Sequence, residues 1–250
     1  MTLHPSFTAR PISHRALHDK SEGRPENSRE AVSAAIEAGY GIEIDLQMSS
    51  DGQAMVFHDY TLDRLTGETG PVAKRSAEEL GRIPLSGGPT GIPTLPEILA
   101  IVDGRVPLVI EVKDQDGALG NDVGTLEAAT ARALDGYEGD VALMSFNPHS
   151  VACFANLSPS RPRGLTTDAF TEEGWPKVPS DERDRLREIA DYNRVGASFV
   201  SHDHRDLKRP RVAALKELGA TILCWTVVNP KQEKRARKVA DQITFERYIA

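Results

Sequence analysis

Cysteine is almost missing from this chain. Cys153 and Cys224 are the only two in 250 residues, too few for a disulfide framework, and neither belongs to a CxxC or Cys/His cluster that would hold zinc. Both read as buried thiols. Long apolar runs are also lacking: a stretch such as 106–110 is far too short to cross a bilayer, and residues 1–11 contain no basic segment followed by an apolar core. The expectation is a protein without an integral membrane segment that stays in the cytoplasm. Positive charge is in short supply as well. Lys and Arg number 30 against 37 Asp and Glu, a formal charge of −7. That charge repels a phosphate backbone, and no basic run is dense enough to overcome it over a duplex-sized surface, so no nucleic acid is expected as a partner. An anionic small molecule would have to be met locally, by a metal or a few placed cations.

What is present reads as globular, with 39% hydrophobic and 27% charged residues. The length suits one α/β barrel with a sizeable core. Short β-branched runs alternate with helical stretches throughout, which favours a parallel sheet wound by helices. Strands are expected at 10–14, 41–47, 106–112, 140–145, 162–165, 196–200, 221–225 and 241–244, a set that fits a closed TIM (β/α)8 barrel. Helices are expected near 28–38, 95–102, 122–134, 148–156, 181–192, 208–218 and 230–238. Asn27 followed by Glu30 reads as a capping box at the start of the first, and Gly39 as its stop. Residues 49–91 break the rhythm. They hold a short strand, 54–58, and then many Gly, Thr and Pro residues, so they read as a small insertion after the second strand, at the barrel end where active sites form. No repeats or long linkers interrupt the rest, giving a single domain over residues 1–250.

Glu43 and Asp45 alternate with Ile42, Ile44 and Leu46, so the two carboxylates share one face of a strand and the aliphatic residues share the other. The run from Leu108 to Lys113 repeats the pattern, with Glu111 and Lys113 on one face. Two neighbouring strands thus aim three acids and one ammonium at a common mouth. Three carboxylates crowded in a partly desolvated site repel one another unless a cation neutralises them. All-oxygen ligands favour a hard divalent ion, Mg²⁺ or Ca²⁺, without choosing between them. The competing reading is a set of internal ion pairs with Lys113 and Arg15. His14, at the end of the first strand, and His58, at the end of the short strand, weigh against it. Histidine titrates near neutral pH, so one ring can take a proton from an attacking hydroxyl while the other gives one to a leaving alkoxide.

At this point the chain resembles the glycerophosphodiester phosphodiesterase family along most of its length. The family's HRG stands here as His14-Arg15-Ala16, its PEN as Pro25-Glu26-Asn27 followed by Ser28, and its ExD as Glu43-Ile44-Asp45. Next come Asp51-Gly52, His58-Asp59, Asp63-Arg64 with Thr66-Gly67, and Ile92-Pro93-Thr94-Leu95 with Glu97. The series closes with Glu111-Val112-Lys113, Ser145-Phe146-Asn147-Pro148 and Trp225-Thr226. Each motif alone is weak, but their common order is specific. The resemblance implies a TIM barrel with a small insertion after the second strand. It further implies Glu43, Asp45 and Glu111 as metal ligands, His14 and His58 as the acid/base pair, Arg15 and Lys113 as phosphate-binding groups, and Trp225 against the glycerol. The implied substrate is a small-molecule glycerophosphodiester, cleaved by attack of its 2-hydroxyl on phosphorus to give a cyclic phosphate that water opens. For Trp225, plain core packing is the competing reading.

Three departures stand out. Ala16 replaces a Gly, which hinders φ > 0 after Arg15 and leads us to expect a slightly altered turn. The loop from Leu17 to Arg24 is long and adds His18, Asp19, Lys20 and Glu22 at the mouth. The usual TD-x-P near the end reads Thr244-Phe245-Glu246-Arg247. Other features take plainer readings: Glu26 and Asn27 as helix caps, Asp63-Arg64 as an ion pair ordering the insertion, and Lys231, Lys234, Arg235, Arg237 and Lys238 as a solvated helix face. His202, Asp203 and His204 read as surface residues in a loop. Two alternative functions stay open: a lysophospholipase D-like hydrolase on the same barrel, and a non-catalytic barrel that binds phosphorylated ligands.

Overall fold

The computed structural model describes residues 2–250. Among these residues nine strands form one sheet: β1 (Ile12–Ser13), β2 (Gly41–Met48), β3 (Ala54–Val56), β4 (Leu108–Val112), β5 (Val141–Ser145), β6 (Arg163–Thr167), β7 (Phe199–Asp203), β8 (Thr221–Val227) and β9 (Gln242–Phe245). All but β3 run parallel and close on themselves, because β1 pairs with both β2 and β9. The result is an eight-stranded TIM barrel. The antiparallel β3 hangs from the far end of β2, with Met48 opposite Ala54.

Nine helices accompany the strands among the described residues: α1 (Ser6–Ala9), α2 (Arg29–Glu37), α3 (Ala77–Arg82), α4 (Leu95–Val102), α5 (Thr125–Ala133), α6 (Pro148–Leu157), α7 (Ser180–Arg187), α8 (Pro210–Glu217) and α9 (Pro230–Ala236). Seven follow the periodic pattern. The sequence reading missed α1 and α3, which at four and six residues are too short to show a 3.6-residue period. The start of α2 also differs from expectation. Ser28 is its N-cap and accepts from the Ala31 N–H, while Asn27 sits at φ 60° and serves another strand.

Alternation along the strands separates two layers. Ile42, Ile44, Leu46, Leu108, Ile110 and Val112 face outward and pack with Val32 and Ala35 of α2 and with Ile98, Leu99 and Val102 of α4. The opposite parity fills the interior, where Ile12, Val109, Ala142, Met144, Phe199 and Leu223 form one buried cluster with Leu3 and Phe7 from the segment before β1. Gln242 Nε2 donates to Thr8 O at 2.8 Å and ties that segment to the barrel floor. Residues 49–91 carry a small core around Phe57, Leu62, Leu80 and Leu85, joined by Ile92 just beyond them. Of the two cysteines, Cys224 is buried but Cys153 is only partly so, which corrects the expectation of two buried thiols.

The interior leaves no slack at Gly164 on β6. A Cβ there would come within 2.5 Å of the Phe199 ring, and that ring is itself fully buried. Gly164→Ala is therefore expected to cost about 1–3 kcal/mol of stability through overpacking, read from the midpoint of urea unfolding. A midpoint equal to that of the parent chain would mean that Phe199 can yield.

Candidate active site

The strand pairing fixes which acids meet. β2 and β4 are neighbours with Asp45 directly opposite Glu111, and Glu43 lies one pleat below Asp45 on the same inward face. Ligand oxygens of Glu43, Asp45 and Glu111 lie within 4.8 Å of one another, and all three residues are buried. The surroundings are graded in charge. Lys113 Nζ is 2.9 Å from Asp45 Oδ1 and 2.6 Å from Glu111 Oε1. Arg15 Nε is 3.4 Å from Asp45 Oδ2, and its Nη1 donates to Glu26 at 2.7 Å. Among the described residues, Glu43 has no side-chain cation in ion-pair range and accepts only the Arg15 backbone N–H, at 2.9 Å. Burial, reinforced by the charges of Asp45 and Glu111, pushes the Glu43 carboxyl well above its ordinary value. At Asp45 burial acts in the same direction, but Lys113, His58 and Arg15 outweigh it and hold the group well below the usual range.

The ion pairs of the competing reading are thus real, but they leave the trio one positive charge short. Arg15 and Lys113 supply at most two cations to three acids, and Arg15 is also shared with Glu26. An all-oxygen set with excess negative charge suits a hard divalent cation.

His14 follows β1 and His58 follows β3 by two residues, and both line the cleft of about 90 Å³ that contains the acids. Each ring is anchored at Nδ1. His14 Nδ1–H donates to Glu246 Oε2 at 2.8 Å, and His58 Nδ1–H donates to Asp59 Oδ1 at 2.7 Å. A carboxylate can only accept, so the proton sits on Nδ1 and Nε2 is the nitrogen left for the cleft. Burial lowers the His14 pKa below its usual value despite the opposing hydrogen bond to Glu246. Trp225 lines the cleft too; its Nε1–H donates to Ser201 O at 3.0 Å and its ring meets Phe146 edge-on at 5.6 Å. Every sequence-predicted site residue therefore reaches one mouth. Beyond His58, Glu111, Lys113 and Phe146 the mouth widens into a recess of about 400 Å³ that also involves Asp59, Tyr60, Asp114 and Trp175.

Several expectations need correction. Glu26 is no cap: it bridges Arg15 and Arg64. Arg64 pairs with Asp59 and Glu26 rather than with Asp63, whose carboxylate accepts the Gly70 N–H. Asn27 clamps Asp45, donating from Nδ2 to Oδ2 at 3.0 Å and accepting the Asp45 N–H. Ala16 does adopt φ 64°, with Arg15 at 51°; the turn keeps a left-handed form because Ala16 N donates to Glu43 O and the residue is buried. His202 and Asp203 are not loop residues but end β7. The His202 ring is fully buried and bonded to Thr167 at 2.7 Å. The loop from Leu17 to Arg24 lines a neighbouring cavity of about 410 Å³ with Glu246, Arg247 and Tyr248, not the acid cleft. Glu246 has no assigned role in the sequence, where it appears only within the departure Thr244-Phe245-Glu246-Arg247 just past the last strand.

Barrel and site together define a hydrolase-type arrangement, with acids and imidazoles gathered at the C-terminal ends of parallel strands. Residues 14–242 match the model of the glycerophosphoryl diester phosphodiesterase family. The chain belongs to that family and is an enzyme of the phosphodiesterase class. It is 29% identical over 229 residues to YhdW of Bacillus subtilis (strain 168), covering 88% of this chain and 86% of that one. It is 31% identical over 175 residues to a glycerophosphodiester phosphodiesterase of Caldanaerobacter subterraneus subsp. tengcongensis, covering 66% and 69%. In fold it matches an Oleispira antarctica phosphodiesterase solved with its product sn-glycerol-3-phosphate, with a TM-score of 0.78 and 23% identity over 96% of this chain and 94% of that one. Among the described residues, no helix is long and apolar enough to cross a membrane.

The charge deficit of the acid trio yields a direct expectation. Mg²⁺ or Ca²⁺ at about a hundredfold its Kd should raise the unfolding free energy by about 2.7 kcal/mol, and Glu111→Gln should shrink that gain. Thermal melts with and without each ion read it; an unshifted melting temperature in the parent chain would rule out the cation site.

Proposed function

We propose that this enzyme hydrolyses glycerophosphodiesters to glycerol 3-phosphate and an alcohol. It works as one barrel domain over residues 1–250, with 49–91 as an insertion that supplies His58. The observation that carries the reading is the pair of imidazoles, each held at Nδ1 by a carboxylate, beside three buried acids short of positive charge. Glu43, Asp45 and Glu111 would hold Mg²⁺ or Ca²⁺, and the bound ion supplies Lewis-acid stabilisation of charge on an anionic diester. Arg15 and Lys113 bind the phosphate oxygens. Both cations are already held at the cleft by Asp45, so they need little ordering when substrate arrives.

The two histidines divide the proton transfers. His14 lines only the narrow cleft, together with Trp225, while His58 lines both the cleft and the wider recess. This supports glycerol on the Trp225 side and the leaving alcohol in the recess. His14 Nε2 then takes the proton of the glycerol 2-hydroxyl as that oxygen attacks phosphorus, in keeping with the burial that favours its neutral form. His58 enters as the imidazolium, its Nδ1–H held by Asp59, and gives its second proton, on Nε2, to the departing alkoxide, and a cyclic phosphate results. Water opens the ring with the two proton transfers reversed, leaving glycerol 3-phosphate. The Oleispira relative holds that compound as its product, which supports the same product here.

His14→Ala is expected to lower the rate on glycerophosphocholine by about two to four orders of magnitude, the usual worth of a general acid or base. Cleavage at the parent rate would remove His14 from the chemistry and favour a barrel that only binds phosphorylated ligands. The aromatic side chains of Tyr60, Phe146 and Trp175 in the recess give the lysophospholipase D reading its footing. Asp59 and Asp114 in the same wall oppose an acyl chain. Parallel assays should therefore show higher kcat/KM on glycerophosphocholine than on lysophosphatidylcholine, and the reverse order would replace the main reading.

A further inference from the structure

Glu246 stands where the chain leaves the family's TD-x-P pattern, yet it is built into the site. Its side chain is only 12% exposed, and it follows β9 directly at the rim. Its Oε2 accepts from His14 Nδ1 at 2.8 Å, its Oε1 lies 3.0 Å from Arg247 Nε, and its backbone N–H donates to Val227 O at 3.0 Å. On the side away from the cleft, His18 Nε2 lies 3.4 Å from the same Oε2, at ion-pair range without a formed hydrogen bond. Both carboxylate oxygens thus have partners and the backbone is bonded as well. Burial alone would raise the Glu246 pKa, but the imidazoles of His14 and His18 outweigh it and keep the group charged over the neutral range.

We propose that Glu246 is the positioning residue for His14, fixing the Nδ1–H tautomer and turning Nε2 toward the cleft as a ready acceptor. The inference rests on the reading of His14 as the proton acceptor. Its physical basis is general: an imidazole can accept at Nε2 only while its proton resides on Nδ1, and a charged acceptor at Nδ1 selects that form. Asp59 bears the same relation to His58, so the two rings are oriented by one device built from opposite ends of the chain. Phe245, the residue before Glu246, is buried against the Tyr40 ring at 4.9 Å and packs outward.

The test separates position from mere structure. In ¹⁵N-labelled protein at neutral pH, with the His14 signals assigned by their loss in His14→Ala, the parent chain should show a protonated Nδ1 and a bare Nε2. Glu246→Ala should move the ring toward the Nε2–H form and lower kcat on glycerophosphocholine by about 10–100-fold, with KM changed by less than about threefold. Glu246→Leu, which keeps most of the bulk, should do the same if the alanine variant folds poorly. Glu246→Gln keeps an acceptor at Nδ1 and should retain the tautomer and most of the rate. An unchanged tautomer in folded Glu246→Ala or Glu246→Leu would overturn the proposal, as would equal losses in the Ala and Gln variants. If the parent chain cleaves no glycerophosphodiester, the proposed function fails, while the ring spectrum still decides whether Glu246 sets the tautomer.

Discussion

Three like charges forced into one small buried space are the condition that the rest of this barrel answers. Two carboxylates about 4 Å apart repel by about 4 kcal/mol even at an effective dielectric of 20, and three such pairs together rival the whole stability of a domain. The oxygens of Glu43, Asp45 and Glu111 are that close, so the fold has to bring positive charge and hydrogen-bond donors to them. Lys113 reaches Asp45 and Glu111 from just past the end of β4, Asn27 grips Asp45 from the loop before α2, and the Arg15 backbone serves Glu43. What remains unanswered is one negative charge, and Glu43 expresses it.

The compensation does not stop at the acids. Arg15 reaches from Asp45 to Glu26, Glu26 to Arg64, Arg64 to Asp59 and Asp59 to His58. This is an unbroken chain of alternating charge from the acid trio to the second imidazole. It also explains how an insertion with its own core comes to place a ring accurately: the backbone of Phe57 donates to Asp45 O, and Gln47 Nε2 donates to His58 O. Arg64 is half exposed, so its individual bonds are weakened by water. Its value is geometric, since one planar guanidinium joins two carboxylates belonging to different parts of the chain.

Much of this was legible before any coordinates, and the reason is periodicity. A strand that alternates Glu43 and Asp45 with Ile42, Ile44 and Leu46 has only one sensible orientation when helices cover one of its faces, and the same holds for Glu111 and Lys113. Residues set by tertiary pairing were not legible. Asn27 followed by Glu30 reads locally as a cap, but Ser28 is an equally good one, and only the approach of β2 decides that Asn27 is wanted by Asp45. Arg64 lies beside Asp63 in sequence and pairs elsewhere because the turn to Gly70 claims Asp63. His202 reads as a loop residue because the strand is expected to stop at 200, whereas β7 runs on to Asp203. Ala16 read as a poor fit for a left-handed turn; about 1–2 kcal/mol of strain is the usual cost, and burial with a hydrogen bond to Glu43 O offsets it.

Closure of the barrel and completion of the site are one event. β1 supplies only two residues, Ile12 and Ser13, and they pair with β2 on one side and β9 on the other. The bond from His14 N to Phe245 O continues that pairing by one residue, and this register brings His14 and Glu246 side by side although 232 residues separate them. Slipping β1 by one residue would invert its faces, burying Ser13 in the place of Ile12 and turning His14 toward the helices. The inner layer forbids this, because Ile12 sits among Phe7, Phe199 and Leu223. Apolar packing at the floor of the barrel thus fixes the register, and the register fixes which acid meets the imidazole at the mouth.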